Sequence, residues 1–335
     1  MDKTEFRCDP LTQEWTVFNE SRAVPPQFGS VRDETYGPSP FRAGLERYAP
    51  HTLHHESGPY GWQVRVVPNR LPVLRVEGSD HFRGEGLFRR LDGVGANEIV
   101  IEDPADRRFE DLPLEDVTKI MHAWRARIED LMRDGRMRAF YVSKEVGRAA
   151  GQTIAHSLSQ VFALAILPPA LREKLDRAHA YYAARGTSLF ADLLEEERRQ
   201  GLRLVYENAG CVVFCPYAAR APFEIAIWPK RQSADFHHST PDELRLLAGA
   251  LCTALKKLNR ALDHPPYQLT LTTAPSRTQP LPEYPTLDED FRWHIAIVPR
   301  LHPGSGFELA SGCHVNGVFP EVAADFLRRQ EPEPL

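Results

Sequence analysis

Twice along this chain of 335 residues, an amphipathic helix pattern is followed by apolar strand runs, one of which carries a histidine and closes in proline. In the first helix, residues 114–133, Val117, Ile120, Met121, Trp124, Ile128, Leu131 and Met132 recur at helical spacing. They form one apolar stripe opposite a charged face, which predicts a helix laid on a sheet. The second helix, 241–262, starts with Thr240 as N-cap, Pro241 in the first turn and Glu243 three residues on. That is a capping box, in which two side chains satisfy backbone donors that the first turn leaves free. The strand runs that follow, His156…Ala163-Leu164-Ala165-Ile166-Leu167-Pro168-Pro169 and Trp293-His294-Ile295-Ala296-Ile297-Val298-Pro299-Arg300, echo one another. The spacing predicts a duplicated α+β unit.

Period-two and short continuous apolar runs predict strands at 15–18, 64–67, 98–101, 139–143 and 161–167 in the first half. A second series is predicted at 202–206, 211–215, 224–228, 267–273 and 293–298. Residues 171–200 read as helical, broken near Gly186, and connect the halves. We therefore expect one half-domain over residues 1–185 and a second over 186–335. The stretches 25–59 and 273–289, rich in loop-forming residues, are expected to be irregular.

The chain is 42% hydrophobic and 26% charged, which suits a folded globular protein. A net charge of -5 without a long basic run argues against a nucleic-acid partner and favours a small ligand. No apolar stretch is long enough to span a bilayer, and the opening Met1-Asp2-Lys3-Thr4-Glu5 has no signal-peptide core, so a cytoplasmic protein without membrane partners is expected. The five cysteines are scattered and lack zinc-type pairing, and reduced thiols are expected; Cys211 and Cys215 share a strand face, where packing is the commoner role.

The segment Ala150-Gly151-Gln152-Thr153-Ile154-Ala155-His156-Ser157-Leu158-Ser159-Gln160 resembles the motif Ala-Gly-x-Ser-x-x-His-Pro-His-x-Gln of the galactose-1-phosphate uridylyltransferase family, in the histidine-triad superfamily. Further blocks are similar to that family in the same order: Asp9-Pro10-Leu11-Thr12 with Trp15, Arg22-Ala23, Pro68-Asn69-Arg70-Leu71-Pro72, residues 214–224, 293–301 and Gly306-Phe307-Glu308. The resemblance implies two histidine-triad half-domains, each an antiparallel sheet with packed helices, and a homodimer. It also implies a nucleotide or nucleotide-sugar ligand contacted by Arg22, Asn69, Arg70, Thr153 and Gln160.

In the family the second histidine of the motif attacks a nucleoside phosphate, and Leu158 stands there. Leucine has no lone pair, so a covalent nucleotidyl-enzyme is not expected. On a strand, Ser157 and Ser159 face away from Leu158 and cannot substitute for it. The family's zinc positions map to Ser39 and Arg42 in Ser39-Pro40-Phe41-Arg42, to Asp106 and to His156; a second metal site of some members maps to Glu197, Thr272, His294 and Ala296. Neither set offers enough ligands, and no metal or other cofactor is expected. Glu145 takes the place of a phosphate-contacting asparagine.

His156, with Glu145 as a second group, is the candidate acid or base. The expected function is that of a diverged nucleotidyltransferase-family protein whose catalysis is non-covalent or repurposed. The alternatives are a pseudoenzyme that senses a ligand or binds a partner, and an unchanged uridylyltransferase, against which Leu158 speaks. His51, His54 and His55, and His237-His238, read as solvated loop histidines, and His294 is expected to pack beside Trp293.

Overall fold

The computed structural model describes residues 4–23 and 25–331, so the first three residues of the opening pentapeptide lie outside it. The chain begins with the hairpin β1 (Thr4–Cys8) and β2 (Trp15–Asn19). The first half continues through β3 (His54–Glu56), β4 (Val64–Pro68), a small hairpin of β5 (Arg83–Glu85) and β6 (Phe88–Arg90), and β7 (Gly95–Ile101). Helix α1 (Leu114–Leu131), β8 (Ala139–Val146) and β9 (Leu158–Leu164) complete it. Helices α2 (Pro169–Arg185) and α3 (Leu189–Gln200) cross to the second half, and the expected division at 185/186 falls between them. There follow β10 (Leu204–Glu207), β11 (Cys211–Phe214), β12 (Ile225–Pro229), α4 (Pro241–Leu262), β13 (Tyr267–Thr272), β14 (His294–Pro299) and β15 (His314–Asn316).

Ten of these strands form one antiparallel sheet in the order β10-β11-β12-β14-β13-β8-β9-β7-β4-β3. Its two ends mirror one another. In each half two outer strands precede an inner strand, a long helix and then a hairpin, and the halves join where β8 pairs with β13, Tyr141 opposite Thr272 and Glu145 opposite Gln268. The two expected half-domains are present, and their antiparallel strands join edge to edge into one sheet, with a core cluster that spans both halves. Because strand side chains alternate, Val66, Val100, Val142, Val161, Leu269 and Ile295 all turn to the face covered by α1 and α4.

The Thr240 capping box is formed, the hydroxyl accepting from Glu243 N and the carboxylate from Thr240 N, and α4 starts where the sequence predicts. Polar side chains also fix α1. Arg127 holds Glu98 of β7 through two hydrogen bonds of 2.7 and 2.8 Å, and Trp124 Nε1 donates to Ser159 Oγ at 2.8 Å. Ser159 thus lies behind the sheet, on the face opposite Leu158.

The other sheet face is covered unequally. Over the second half, α2 and α3 pack Leu171, Leu175, Phe190 and Leu194 on Phe214, Ala226 and Trp228. Over the first half there is only a loop, whose Phe41 joins Trp62 against Val67, Ile99 and Ile101, and beside it the sheet stays open. Two expectations need correction here. The stretch 25–59 is not wholly irregular, since His54–Glu56 pairs with β4 at the sheet edge. Strand β9 begins at Leu158 rather than 161, because the polar motif residues are in the ladder, Gln160 opposite Ile99 and Leu158 opposite Ile101.

Candidate active site

The open part of the sheet is a cleft of about 390 Å³, within the usual range for small-molecule sites. Strand β9 supplies its floor, since Leu158 and Gln160, two residues apart, share the face that looks into it. Leu158 packs with Ile154 against Phe41, Ile99 and Ile101, so the position of the family's nucleophile is apolar floor. Polar groups gather above it: Asn69, Arg70, Glu145, Gln152, Thr153 and Gln160.

Gln160 is oriented by an amide network that the sequence did not reveal. Its Oε1 accepts from Asn97 Nδ2 at 3.0 Å and from Asn69 Nδ2 at 3.4 Å, while Asn69 Nδ2 also reaches Asn97 Oδ1 at 2.9 Å. With the carbonyl end engaged, the NH2 end of Gln160 is left to donate to a ligand. Asn97 is, with Glu98, one of two buried polar residues in the run Gly95–Ile101, and a polar pair within an apolar strand is the signal that could have found it. Arg70 is exposed at the rim, its guanidinium 2.5 Å from the Tyr48 carbonyl.

The motif loop is shaped by Gln152, which was not expected to matter. Its Oε1 accepts from Gly147 N at 2.7 Å, and its Nε2 donates to the carbonyls of Ile154 and His156 at 2.9 and 3.3 Å. Gly151 is left-handed, with φ +106°, and a Cβ there would lie 3.3 Å from Glu145 Cδ. Glycine therefore lets the Glu145 side chain lie against the loop. Glu145 is half-buried, and among the described residues its carboxylate has no hydrogen-bond partner; burial pushes its pKa up.

His156 is buried, and both its ring nitrogens are occupied. Nε2 donates to the Asp103 carbonyl at 2.8 Å, which fixes the tautomer, and Nδ1 accepts from the Ser39 hydroxyl at 2.8 Å. Burial pushes the imidazole pKa down and the nearby Asp106 carboxyl up, outweighing their mutual attraction across 3.6 Å. With both ring nitrogens engaged, neither is free for proton exchange with a ligand.

The positions that the resemblance assigns to zinc do come together. Ser39 and Asp106 flank His156, and Arg42 lies 3.6 Å from Asp106. They do not fit the metal, because a guanidinium has no lone pair to donate and only one imidazole is present. The second set is corrected by the structure. Glu197 is held by Arg203, and His294 Nε2 takes a hydrogen bond of 2.8 Å from Lys174. Among the described residues, no three His, Cys, Asp or Glu side chains are gathered so as to hold a metal ion. Cys211 and Cys215 are buried, and burial raises both thiols.

Two more placements differ from expectation. Arg22 lines a separate cleft with Pro26, Phe223 and His302, away from the other predicted ligand contacts of this chain. His294 packs with Phe190, Trp228 and Phe291, whereas Trp293 meets Phe236, because neighbours on a strand point to opposite faces. Of the histidines expected to be solvated in loops, His54 and His55 lie in β3, with His54 paired to Glu56 at 2.9 Å, and the partly buried His237 has its ring tilted against His238 at 4.1 Å.

A fused pair of antiparallel α+β halves with a motif cleft at the start of an inner strand defines a histidine-triad type of fold. No family model matches the sequence. The chain is 31% identical to an ADP-glucose phosphorylase of Arabidopsis thaliana over 97% of its length and 92% of that protein. It is 24% identical to a galactose-1-phosphate uridylyltransferase of Thermotoga maritima, over 98% and 99% of the two chains. The crystal structure of an ADP-glucose phosphorylase from Arabidopsis thaliana with bound ADP-glucose superposes with a TM-score of 0.84 at 28% identity, covering 98% of this chain and 100% of that one. The chain belongs to the galactose-1-phosphate uridylyltransferase family. Among the described residues, no helix is long and apolar enough to cross a membrane.

Proposed function

We propose that this protein binds a nucleotide sugar of the ADP-glucose type in the cleft over Leu158 and acts on it without a covalent nucleotidyl-enzyme. The observation that carries the reading is the pairing of an apolar floor at Leu158 with a preoriented amide donor, Gln160, two residues further along the same strand face. The floor suits an uncharged ring, and Gln160, Arg70, Asn69 and Thr153 suit phosphoryl and hydroxyl oxygens. Any displacement at phosphorus is then direct, with an acceptor such as inorganic phosphate attacking as the sugar phosphate leaves. Positioning and charge stabilisation alone supply large accelerations.

In this reading Glu145, not His156, handles protons. It is the titratable side chain of the cleft with a raised pKa and no partner among the described residues, whereas His156 pins the motif loop. A ligand-binding protein without turnover is a second reading, favoured by the sealed His156 ring. Release of glucose 1-phosphate from ADP-glucose with phosphate added distinguishes the two. The unchanged uridylyltransferase reading is disfavoured, because Leu158 lines the cleft. By analogy with the family the protein is a homodimer, in which Arg22 would have to reach the cleft of the other copy to contact the ligand.

Calorimetric titration with ADP-glucose tests the proposal. Gln160→Ala removes one donor to the ligand and leaves Asn97 without its acceptor, so the Kd is expected to rise about tenfold, equivalent to ~1.4 kcal/mol. Unchanged affinity in this variant would remove Gln160 from the site.

Affinity should also depend on pH through Glu145. A carboxyl whose folded pKa is raised favours its protonated form, so its favourable contribution is present at low pH and is lost as pH rises through the raised folded value. An anionic ligand beside it should bind more weakly over the same window. Glu145→Gln is expected to flatten that dependence and tighten ADP-glucose binding about tenfold near neutral pH, since a like charge at contact distance costs ~1 kcal/mol or more. Titrations across pH 5 to 8 check the sign, and an unaltered profile would place the proton elsewhere.

A further inference from the structure

Two polar clusters lie on the sheet face away from α1 and α4, one in each half, and each is built around a histidine at the start of an inner strand. In the first, Ser39 and Arg42 of the covering loop, Asp106 after β7 and His156 before β9 are far apart in sequence and meet in space. Ser39 Oγ is 2.8 Å and Asp106 Oδ1 3.6 Å from His156 Nδ1, and Arg42 Nη2 is 3.6 Å from Asp106 Oδ2. In the second, His294 opens β14, the counterpart of β9 by strand order, and Thr272 lies opposite it on β13. His294 Nδ1 donates to the Arg292 carbonyl at 3.0 Å, so Nε2 is an acceptor, and the Lys174 ammonium fills it at 2.8 Å. The cleft around Lys174 is also lined by Asp9, Glu14 and Glu224.

We propose that Arg42 and Lys174 are tethered cations that stand where this fold would otherwise hold two metal ions, so that the chain folds without either metal. A metal ion in such a place does two things. It supplies positive charge to nearby carboxylates, and it ties together loops that are remote in sequence. Arg42 and Lys174 supply that charge from the chain itself, Arg42 opposite Asp106 and Lys174 among Asp9, Glu14 and Glu224. The hydrogen bonds of Ser39 and Asp103 to His156, and of Lys174 to His294, do the tying. Each cation also excludes a metal, because neither an ammonium nor a guanidinium has a lone pair to offer and each repels a dication. The rest of each donor set agrees: a serine and one carboxylate in the first cluster, a threonine and Ala296 in the second.

Elemental analysis of the full-length protein, purified from cells grown with added zinc and iron, tests the proposal together with thermal unfolding before and after a chelator. The expected result is under about one-tenth equivalent of either metal per chain and a Tm that the chelator leaves unmoved. Close to one equivalent of zinc or iron, with a Tm that falls on chelation, would overturn it. A gain-of-site variant gives a second readout. Ser39→Cys with Arg42→Cys and Asp106→His removes the cation and completes four ligands around His156, and is expected to bind about one zinc per chain. A variant that keeps the wild-type circular dichroism yet takes up no zinc would overturn the assignment of Arg42 to the metal position. If the variant does not fold, the wild-type analysis still decides the matter.

Discussion

Lys144→Met is expected to lower the free energy of unfolding by about 3–5 kcal/mol, enough to remove much of the stability of an ordinary domain. Lys144 lies on β8 with 2% of its surface exposed, and its ammonium holds Glu102 Oε2 at 2.5 Å; Glu102 itself is fully buried. The same ammonium reaches Ser157 Oγ at 3.1 Å and the Leu158 carbonyl at 3.2 Å, so it fastens the strand end that carries the motif. Methionine keeps the length and the apolar stem of the side chain. It leaves a buried carboxylate whose remaining partner for Oε2 is the Ser157 hydroxyl at 2.6 Å. The cost is that of an uncompensated buried charge rather than of lost packing. Lys144→Met combined with Glu102→Gln should therefore recover a large part of it. Urea unfolding of the three proteins checks this, and a single variant within about 1 kcal/mol of wild type would mean that the pair contributes little.

Trp124→Ala should cost a similar ~3–5 kcal/mol by a different route. Trp124 is fully buried on α1, among Val100, Val161 and their neighbours on the sheet, and its Nε1 donates to Ser159 on β9. Alanine opens a large cavity and orphans the Ser159 hydroxyl. Since Ser159 lies between Leu158 and Gln160, the loss should also loosen the cleft floor. Trp124→Phe, which keeps most of the ring volume, is expected to lose about 1–2 kcal/mol, so the spacing between the two variants separates packing from the hydrogen bond. Denaturant midpoints measure both.

The long periodic elements were legible because local and tertiary signals agree in them. The stripe from Val117 to Ile128 and the Thr240 capping box each predict a helix that the structure contains, at 114–131 and 241–262. The break near Gly186 is the left-handed C-cap of α2. Short polar strands were not legible. Thr4–Cys8 and His54–Glu56 are strands through their ladder partners and carry no apolar run of their own. β9 was expected to begin at Val161 because Ser157, Ser159 and Gln160 mask its start, although each polar side chain there has a definite partner or face.

At the site, the sequence showed which residue had gone but not what replaced its surroundings. Leu158 could be found from the motif, and its role as cleft floor required Phe41 from a loop more than a hundred residues earlier. The pairing of Lys174 with His294 was not legible either. It joins α2 to the first residue of β14, 120 residues apart in the chain, and the sequence pointed to Glu197, one helix further on. Arg22 was grouped with Arg70 through the family blocks that both resemble, and within one chain the two line different clefts.

The most direct test of the central claim is mass spectrometry of the intact protein mixed with saturating ADP-glucose, sprayed first under native conditions and then after denaturation. The account predicts a one-to-one complex that survives gentle transfer and an unmodified chain mass once the protein is unfolded. A nucleotidyl adduct retained after denaturation would contradict it by demanding a nucleophile that Leu158 cannot be, and the absence of any native complex would contradict the nucleotide-sugar reading itself.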